Sequence, residues 1–225
     1  MKTLIITPRQ AELDFFAQGC TRRGFKAEQS MAGRLPVVSF PQLGITLAPG
    51  GFGKVQFAVQ TQYLLALGTK WDRVVCAGAA GGLSDSFSIG DVVVATSTVE
   101  HDFNNRFGPR LLPKFDGSSV ALAELRGVAG LMIAFKVHFG TLASGDEAVI
   151  GPEQQQLLQE ATGVVAVAWE GVGGARACTF NSIPFVEIRG ITNPANADAS
   201  LDFETNLELV MNNVATLITD WVEQA

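Results

Sequence analysis

Two carboxylates, an aromatic ring, an amide and a run of glycines stand directly after stretches of this sequence that read as buried strands. Lys2 to Ile6 is followed by Arg9 and Glu12, and Arg73 to Ala77 by Gly78-Ala79-Ala80-Gly81-Gly82. Ser144-Gly145-Asp146 follows a run ending at Leu142. Trp169-Glu170 follows Val164 to Ala168, and Thr192-Asn193 follows Pro184 to Ile191. In doubly wound sheets, ligands bind outside the carboxyl ends of the strands. These groups are therefore expected to face one cleft, with 78–82 read as a turn where backbone at Ala79 and Gly81 approaches a ligand closely. The set suits a neutral, hydroxyl-rich ligand carrying a flat ring.

The elements that must position these groups alternate. Lys2 to Ile6 reads as a strand, and a helix follows with Thr7 as its cap and Pro8 at its first position, where no N–H is needed. Ala11, Phe15 and Phe16 share a helical face. Short strands are expected at 36–40 and 44–48. The turn Pro49-Gly50-Gly51-Phe52-Gly53 opens a second helix on which Val55, Val59 and Tyr63 point one way. The continuous apolar run 73–77 is a strand covered on both faces. Further strands are read at Gly90 to Thr96, Met132 to Leu142 and Val164 to Ala168. Pro152 to Ala161 is a short helix, and another begins near Glu170. Phe203, Leu207, Val210, Val214, Leu217, Ile218 and Trp221 form one apolar stripe on a final helix. The alternation predicts a single α/β domain over residues 1–225: a doubly wound, mostly parallel sheet with helices on both faces, in three layers.

Bulk properties narrow the function. Hydrophobic residues make up 47% of the 225 and charged residues 17%, enough apolar mass for a sizeable core. A net charge of −6 provides no basic face, which argues against nucleic acid and an acidic membrane surface as partners. The apolar stretch Leu4 to Ile6 is too short for a signal peptide, and no run is long enough to span a bilayer. Cys20, Cys76 and Cys178 form neither a disulfide framework nor a CxxC pair. A cytoplasmic location is expected.

Several motifs fail on inspection. Gly53-Lys54 resembles the end of a P-loop, but Ala48 and Val55 stand where it needs Gly and Ser/Thr. Gly171-Val172-Gly173 follows a strand, yet Arg176 occupies the third glycine position of a dinucleotide fingerprint. With only His101 and His138, a zinc site is not expected. No G-x-S-x-G elbow occurs. His101-Asp102 reads as a hydrogen-bonded structural pair, and Asp146 as a residue that holds its own loop.

Three blocks, GAAGGLSDSFSIGDVVVATSTVEHDF (78–103), SGDEAV (144–149) and VAVAWEGVGGARACTFNSIPFVEIRGITNPAN (165–196), resemble the nucleoside phosphorylase/nucleosidase superfamily. Within it the chain is most similar to methylthioadenosine/adenosylhomocysteine nucleosidases, and the EGVGGA…EIRGITN segment also to futalosine hydrolases. The resemblance implies a purine nucleoside N-ribosyl hydrolase acting on a 5′-modified nucleoside, with no metal or organic cofactor. By that resemblance Glu12 activates the attacking water, Glu170 holds the ribose hydroxyls and Trp169 packs against the sugar. Asn193 falls where nucleosidases carry an Asp bonded to purine N7. Phe52, Ala148 and Val149 would line the nucleoside pocket. Phe107 and Pro113 lie where family members lend residues to a partner's site, which implies a homodimer. Fixed carboxylates would stabilise the positive charge that develops on the sugar, and donors the charge on the departing base.

The sequence departs from that pattern at the base. Asn193 replaces the Asp and has no proton to give as an acid, but it still donates and accepts hydrogen bonds, which suits a 6-oxopurine at least as well as adenine. Ala79 replaces a common Ser, Ala168 a second carboxylate, and Ala148 an aromatic residue. Phosphorolysis is the alternative reaction, with Arg9 as a candidate phosphate ligand. Hydrolysis is favoured because anion sites need several convergent donors. A catalytically weak nucleoside-binding protein is the remaining alternative.

Overall fold

The apolar run that starts at Arg73 does not stop at Ala77. In this computed structural model, which describes every residue except 85, 106, 109, 110, 197 and 225, it continues as one buried strand through Gly82. The expected turn at 78–82 is thus strand. The glycine-rich half pairs in parallel with the strand Phe185–Asn193 and crosses the strand Val164–Ala168, where Gly81 pairs with Val167 and Gly82 with Ala166. Small residues let the two backbones and the side chains from below approach here.

In chain order the strands are β1 (Thr3–Thr7), β2 (Glu28–Ala32), β3 (Leu35–Phe40), β4 (Ile45–Pro49), β5 (Arg73–Gly82), β6 (Val92–Glu100), β7 (Lys114–Asp116), β8 (Val137–Ser144), β9 (Val164–Ala168) and β10 (Phe185–Asn193). The helices are α1 (Gln10–Arg22), α2 (Gly53–Ala66), α3 (Ser119–Ala129), α4 (Pro152–Thr162), α5 (Gly171–Asn181) and α6 (Ala199–Gln224). The sheet runs β10-β6-β8-β9-β5-β1-β4-β3-β2, and an added β10–β5 pairing closes β5, β10, β6, β8 and β9 into a ring. β4, β1, β5 and β10 form one parallel ladder and β6, β8 and β9 another. Antiparallel pairings join the two ladders at β10–β6 and β5–β9. The C-terminal ends of β5 and β9 thereby meet.

Alternation along β1 shows how the layers arise, since successive side chains of a strand face opposite ways. Ile5 enters the core built from Leu13 and Phe16 of α1, Leu125 of α3 and the stripe of α6. Leu4 and Ile6 enter the opposite core, with Phe57 of α2 and Ala175 and Cys178 of α5. The three-layer α/β/α expectation holds. All three cysteines are buried and free.

Local differences have physical causes. α1 begins at Gln10 with Arg9 as its cap, because Thr7 stays in β1 and pairs with Pro49. The strand read from Met132 starts only at Val137. Val55 and Val59 do point one way, but outward, and are 73% and 62% exposed. Phe57, Thr61 and Leu64 form the buried face. β2, β7 and α3 carry no pattern strong enough to be read locally.

The α6 stripe ends at Trp221, which is fully buried. Its indole N–H donates to Glu124 at 2.8 Å, and the Arg73 guanidinium lies 3.8 Å from the ring centre. Trp221→Ala removes both the packing and the anchor of that ion pair. It is expected to cost about 3–5 kcal/mol, lowering the thermal midpoint by roughly 2–4 °C per kcal/mol. Denaturant unfolding measures it, and a loss below about 1 kcal/mol, typical of a surface change, contradicts the anchor.

Candidate active site

Glu12 is placed by the start of α1. As the third residue after Arg9 it reaches back, and Oε2 accepts the Arg9 backbone N–H at 2.8 Å, one half of a capping box. Its other oxygen accepts the Ala79 N–H of β5 at 2.9 Å. The residue is 2% exposed. Burial pushes its carboxyl from an ordinary 4.5 up to about 7. Arg189 and the two N–H donors oppose that rise, and Glu170 adds to it.

Glu170 ends β9 and caps α5. Oε1 accepts the Gly53 N–H at 3.3 Å, tying it to the start of α2, and Oε2 accepts from Arg189 at 3.1 Å. Ser144 locks this corner: its hydroxyl donates to the Trp169 carbonyl at 2.8 Å and accepts the Val172 N–H at 3.1 Å. Burial raises the Glu170 carboxyl despite the Arg189 ion pair, so desolvation outweighs pairing here.

The opposing cation is Arg189, which local reading passed over. From β10 it donates to Glu187 at 2.8 Å, to Glu170, to the Ala79 carbonyl at 3.3 Å and to the Cys76 sulfur at 3.3 Å. Glu187 is fully buried and also accepts the Thr98 hydroxyl at 2.6 Å. Burial disfavours the guanidinium charge, but the surrounding acidic groups hold Arg189 well above its usual range. Three buried carboxylates thus share one cation, and Glu12, which makes no direct bond to it, has its carboxyl pushed up to about 7. Gly78 makes this possible. A Cβ there would sit 2.6 Å from Arg189 Nη1 and 2.7 Å from Glu12 Oε1. A sequence signal existed: two charges at i and i+2 share one face of an otherwise apolar strand, and buried charges must be paired.

Asn193 lies at the end of β10, 6% exposed, opposite Gly81. Its Oδ1 accepts the Ala195 N–H at 2.9 Å, and Nδ2 donates to the Thr192 hydroxyl at 2.8 Å. Ala79 is brought to Glu12 and Gly81 to Asn193. Val149 is buried against Leu83 and Ala195 under the Asn193 loop, while Ala148 is exposed. Trp169 is half-buried and stacks on Phe52, ring centres 4.5 Å apart. Phe203, read only as part of a core stripe, joins them at the mouth through Arg9. Phe107 is fully exposed and Pro113 half-buried, and neither reaches this cluster in its own chain. Two clefts of about 630 and 580 Å³ lie elsewhere and include none of Glu12, Glu170, Arg189 or Asn193.

Two minor readings change. Asp146 accepts the Lys54 N–H at 2.8 Å, so it holds α2 and not its own loop. Asp102 pairs with Lys54 at 2.5 Å and accepts the Asp146 N–H, while His101 Nε2 is buried without a partner among the described residues.

Because the folded chain keeps the Glu12 proton between pH 4.5 and about 7 while an unfolded Glu releases it, this group lowers stability as pH rises through that window. Glu12→Gln is expected to remove that slope, while its amide nitrogen leaves one of the two backbone N–H donors unmet and costs about 1–3 kcal/mol at every pH. Denaturant midpoints from pH 4.5 to 8 test it, and an unchanged slope would place the proton elsewhere. Arg189→Met strands Glu170 and Glu187 and is expected to cost about 3–5 kcal/mol.

The model of the phosphorylase superfamily matches residues 2–223. A 5′-methylthioadenosine/S-adenosylhomocysteine nucleosidase of Exiguobacterium sp. is 30% identical over 192 residues, covering 80% of this chain and 82% of that relative. Its counterpart from Haemophilus ducreyi is 31% identical over 186 residues, covering 77% and 78%. The Neisseria meningitidis nucleosidase in complex with methylthio-immucillin-A superposes with a TM-score of 0.86 at 26% identity over the whole of both chains. A futalosine hydrolase of Helicobacter pylori has the same fold, with a TM-score of 0.86 at 24% identity over 100% and 98% of the two chains. The match over residues 2–223, together with relatives 30% and 31% identical, places the chain in the phosphorylase superfamily.

Proposed function

We propose that the protein hydrolyses the N-glycosidic bond of a 5′-modified purine nucleoside, with methylthioadenosine, adenosylhomocysteine and futalosine as the candidate substrates. Glu12 carries this reading. A carboxyl buried at the strand ends beside Glu170, and poised near pH 7, suits a general base that takes a proton from water. Glu170, fixed by Arg189 and Gly53, binds the ribose hydroxyls, and Trp169 and Phe52 pack against the sugar. Val149 and Ala148 flank the base.

Asn193 narrows the base. The Ala195 N–H can only meet an oxygen, which fixes the amide's orientation and occupies Oδ1. One amide hydrogen goes to Thr192, and one remains for the base. A donor suits purine N7, and it suits the adjacent N7 and O6 acceptors of a 6-oxopurine especially well. Without a proton to lose, Asn193 stabilises the leaving base by hydrogen bonding alone.

Hydrolysis, not phosphorolysis, fits the cations. Arg189 spends its donors on Glu187, Glu170, Cys76 and Ala79, and the Arg9 guanidinium is a single cation out at the rim between Phe52 and Phe203. Neither provides the convergent donors that phosphate requires. A homodimer is part of the proposal: Val55 and Val59 of α2 and Phe180 of α5 expose an apolar face, and Phe107 is wholly exposed. A second copy covering that face would bring its own Phe107 and Pro113 to the mouth of this site. Among the described residues, no helix is long and apolar enough to cross a membrane. We place the enzyme in the cytoplasm.

Incubation with methylthioadenosine, adenosylhomocysteine, futalosine and inosine should release free base from at least one, at a rate that added phosphate leaves unchanged. Accumulation of ribose 1-phosphate would make it a phosphorylase, and no release from any substrate removes the enzyme reading. The value of kcat/KM is expected to rise with pH through about 7, as Glu12 loses its proton and becomes a base. Glu12→Gln should lower kcat by roughly 10²–10⁴-fold while ligand still binds.

A further inference from the structure

The first turn of α2 carries a lysine that the chemistry above leaves without a task. The Lys54 side chain is only 16% exposed, and its ammonium donates to Glu100 at 2.8 Å and to Asp102 at 2.5 Å. Glu100 also accepts from Arg176. The second Asp102 oxygen accepts the Asp146 N–H at 2.8 Å, and Asp146 in turn accepts the Lys54 backbone N–H at 2.8 Å. Lys54, Asp102 and Asp146 thus close a ring of hydrogen bonds that ties the start of α2 to the segments leaving β6 and β8. Burial works against the ammonium, yet its bonds to Asp102 and Glu100 outweigh that and hold it charged, above its usual range. Desolvation offsets much of the gain from such a pair, so its main effect is to fix geometry. What it fixes is Gly53, the residue before it. Gly53 is left-handed, with φ at 79°, and a Cβ there would sit 2.9 Å from Asp146 Oδ1. Its N–H is the one partner that Glu170 Oε1 has among the described residues, at 3.3 Å.

We propose that Lys54 is a positioning residue for the ribose-binding carboxylate: through Asp102 and Asp146 it holds the Gly53 N–H on Glu170 and so sets how the sugar hydroxyls are received. The assignment rests on the nucleosidase reading for the placement of the ligand. With Gly53 withdrawn, Glu170 keeps Arg189 on its other oxygen alone and is free to turn about its last side-chain bond. Asn193, on the base side, is bonded to Thr192 and Ala195 and makes no bond to this ring. The defect is therefore selective, falling on the sugar and sparing the base. A role in folding alone would lower the amount of folded protein and leave the affinities of the remainder unchanged.

The test compares Lys54→Met, similar in length but uncharged, with Asp102→Asn, which is nearly isosteric and can accept from only one of its two present donors. Calorimetry on the full chain measures Kd for the C-nucleoside analogues of adenosine and inosine, whose base–sugar bond is carbon–carbon and resists hydrolysis, and for free adenine and hypoxanthine. Both variants are expected to weaken C-nucleoside binding by about tenfold or more, as for a lost hydrogen bond to a charged group, with free-base Kd within about twofold of wild type. Lys54→Arg, which keeps the charge, should recover most of the loss. In a Glu170→Ala background Lys54→Met should cost nothing further, as expected of a residue that acts through another. Equal losses for base and nucleoside overturn the assignment, as do additive losses in that background or wild-type affinity in both variants. If Lys54→Met does not fold, Asp102→Asn decides alone. If C-nucleosides bind with the selective loss but no N-nucleoside is cleaved, the hydrolase reading fails and the positioning role stands. Cleavage without the selective loss removes the positioning role alone, and a wild type that binds neither nucleoside nor base removes both.

Discussion

One guanidinium carries the floor of this site. Arg189 is surrounded by Glu187, Glu170 and Glu12, each nearly sealed from water, and its single positive charge cannot satisfy three negative ones. Ionising buried carboxylates in a low-dielectric interior is costly, and burial raises both Glu170 and Glu12, the latter to about 7. The same arithmetic gives the cluster its uses. Glu170 and Glu187 are bonded to the cation and stay fixed, whereas Glu12 is bonded only to backbone N–H groups and sits near neutral pKa. One charge thus fixes Glu170 beside a carboxyl of near-neutral pKa.

The sheet supplies the walls around that charge. Closure of β5, β10, β6, β8 and β9 into a ring brings the ends of β5 and β9 together, and those ends carry Ala79, Gly81, Trp169 and Glu170. Glycine at 78 leaves room for Arg189 and Glu12 to approach from below. Ala195 fixes the orientation of the Asn193 amide through Oδ1. Beside Glu170 the rings of Trp169, Phe52 and Phe203 run outward, with Arg9 between the last two. Polarity therefore changes along this row, from the Asn193 amide, through the buried acids, to the Arg9 cation at the rim.

Much of this was legible because it is local. The strand-end rule located Glu12, Glu170 and Asn193 without contact information, and β9 and α6 follow directly from a buried run and a helical stripe. Glu187 and Arg189 were equally visible as charges inside an apolar strand, but their partners come from other elements: Cys76 and Ala79 on β5, Thr98 on β6 and Glu170 after β9. Pattern alone also assigned Val55 and Val59 to a shared face without saying whether that face looks in or out. Phe57 and Leu64 decide it, because only one side of α2 meets the sheet.

The amino-acid sequence by itself determined the α/β alternation, the layers and the residues that arrive at the strand ends, since periodicity and chain order depend only on neighbours. Tertiary structure decided how far the Glu12 carboxyl is raised, which way the Asn193 amide points and where the Arg9 guanidinium rests. Each of those depends on groups brought together from distant segments, and the energy of a buried charge or a hydrogen bond is set by the partners within a few ångströms, not by position along the chain.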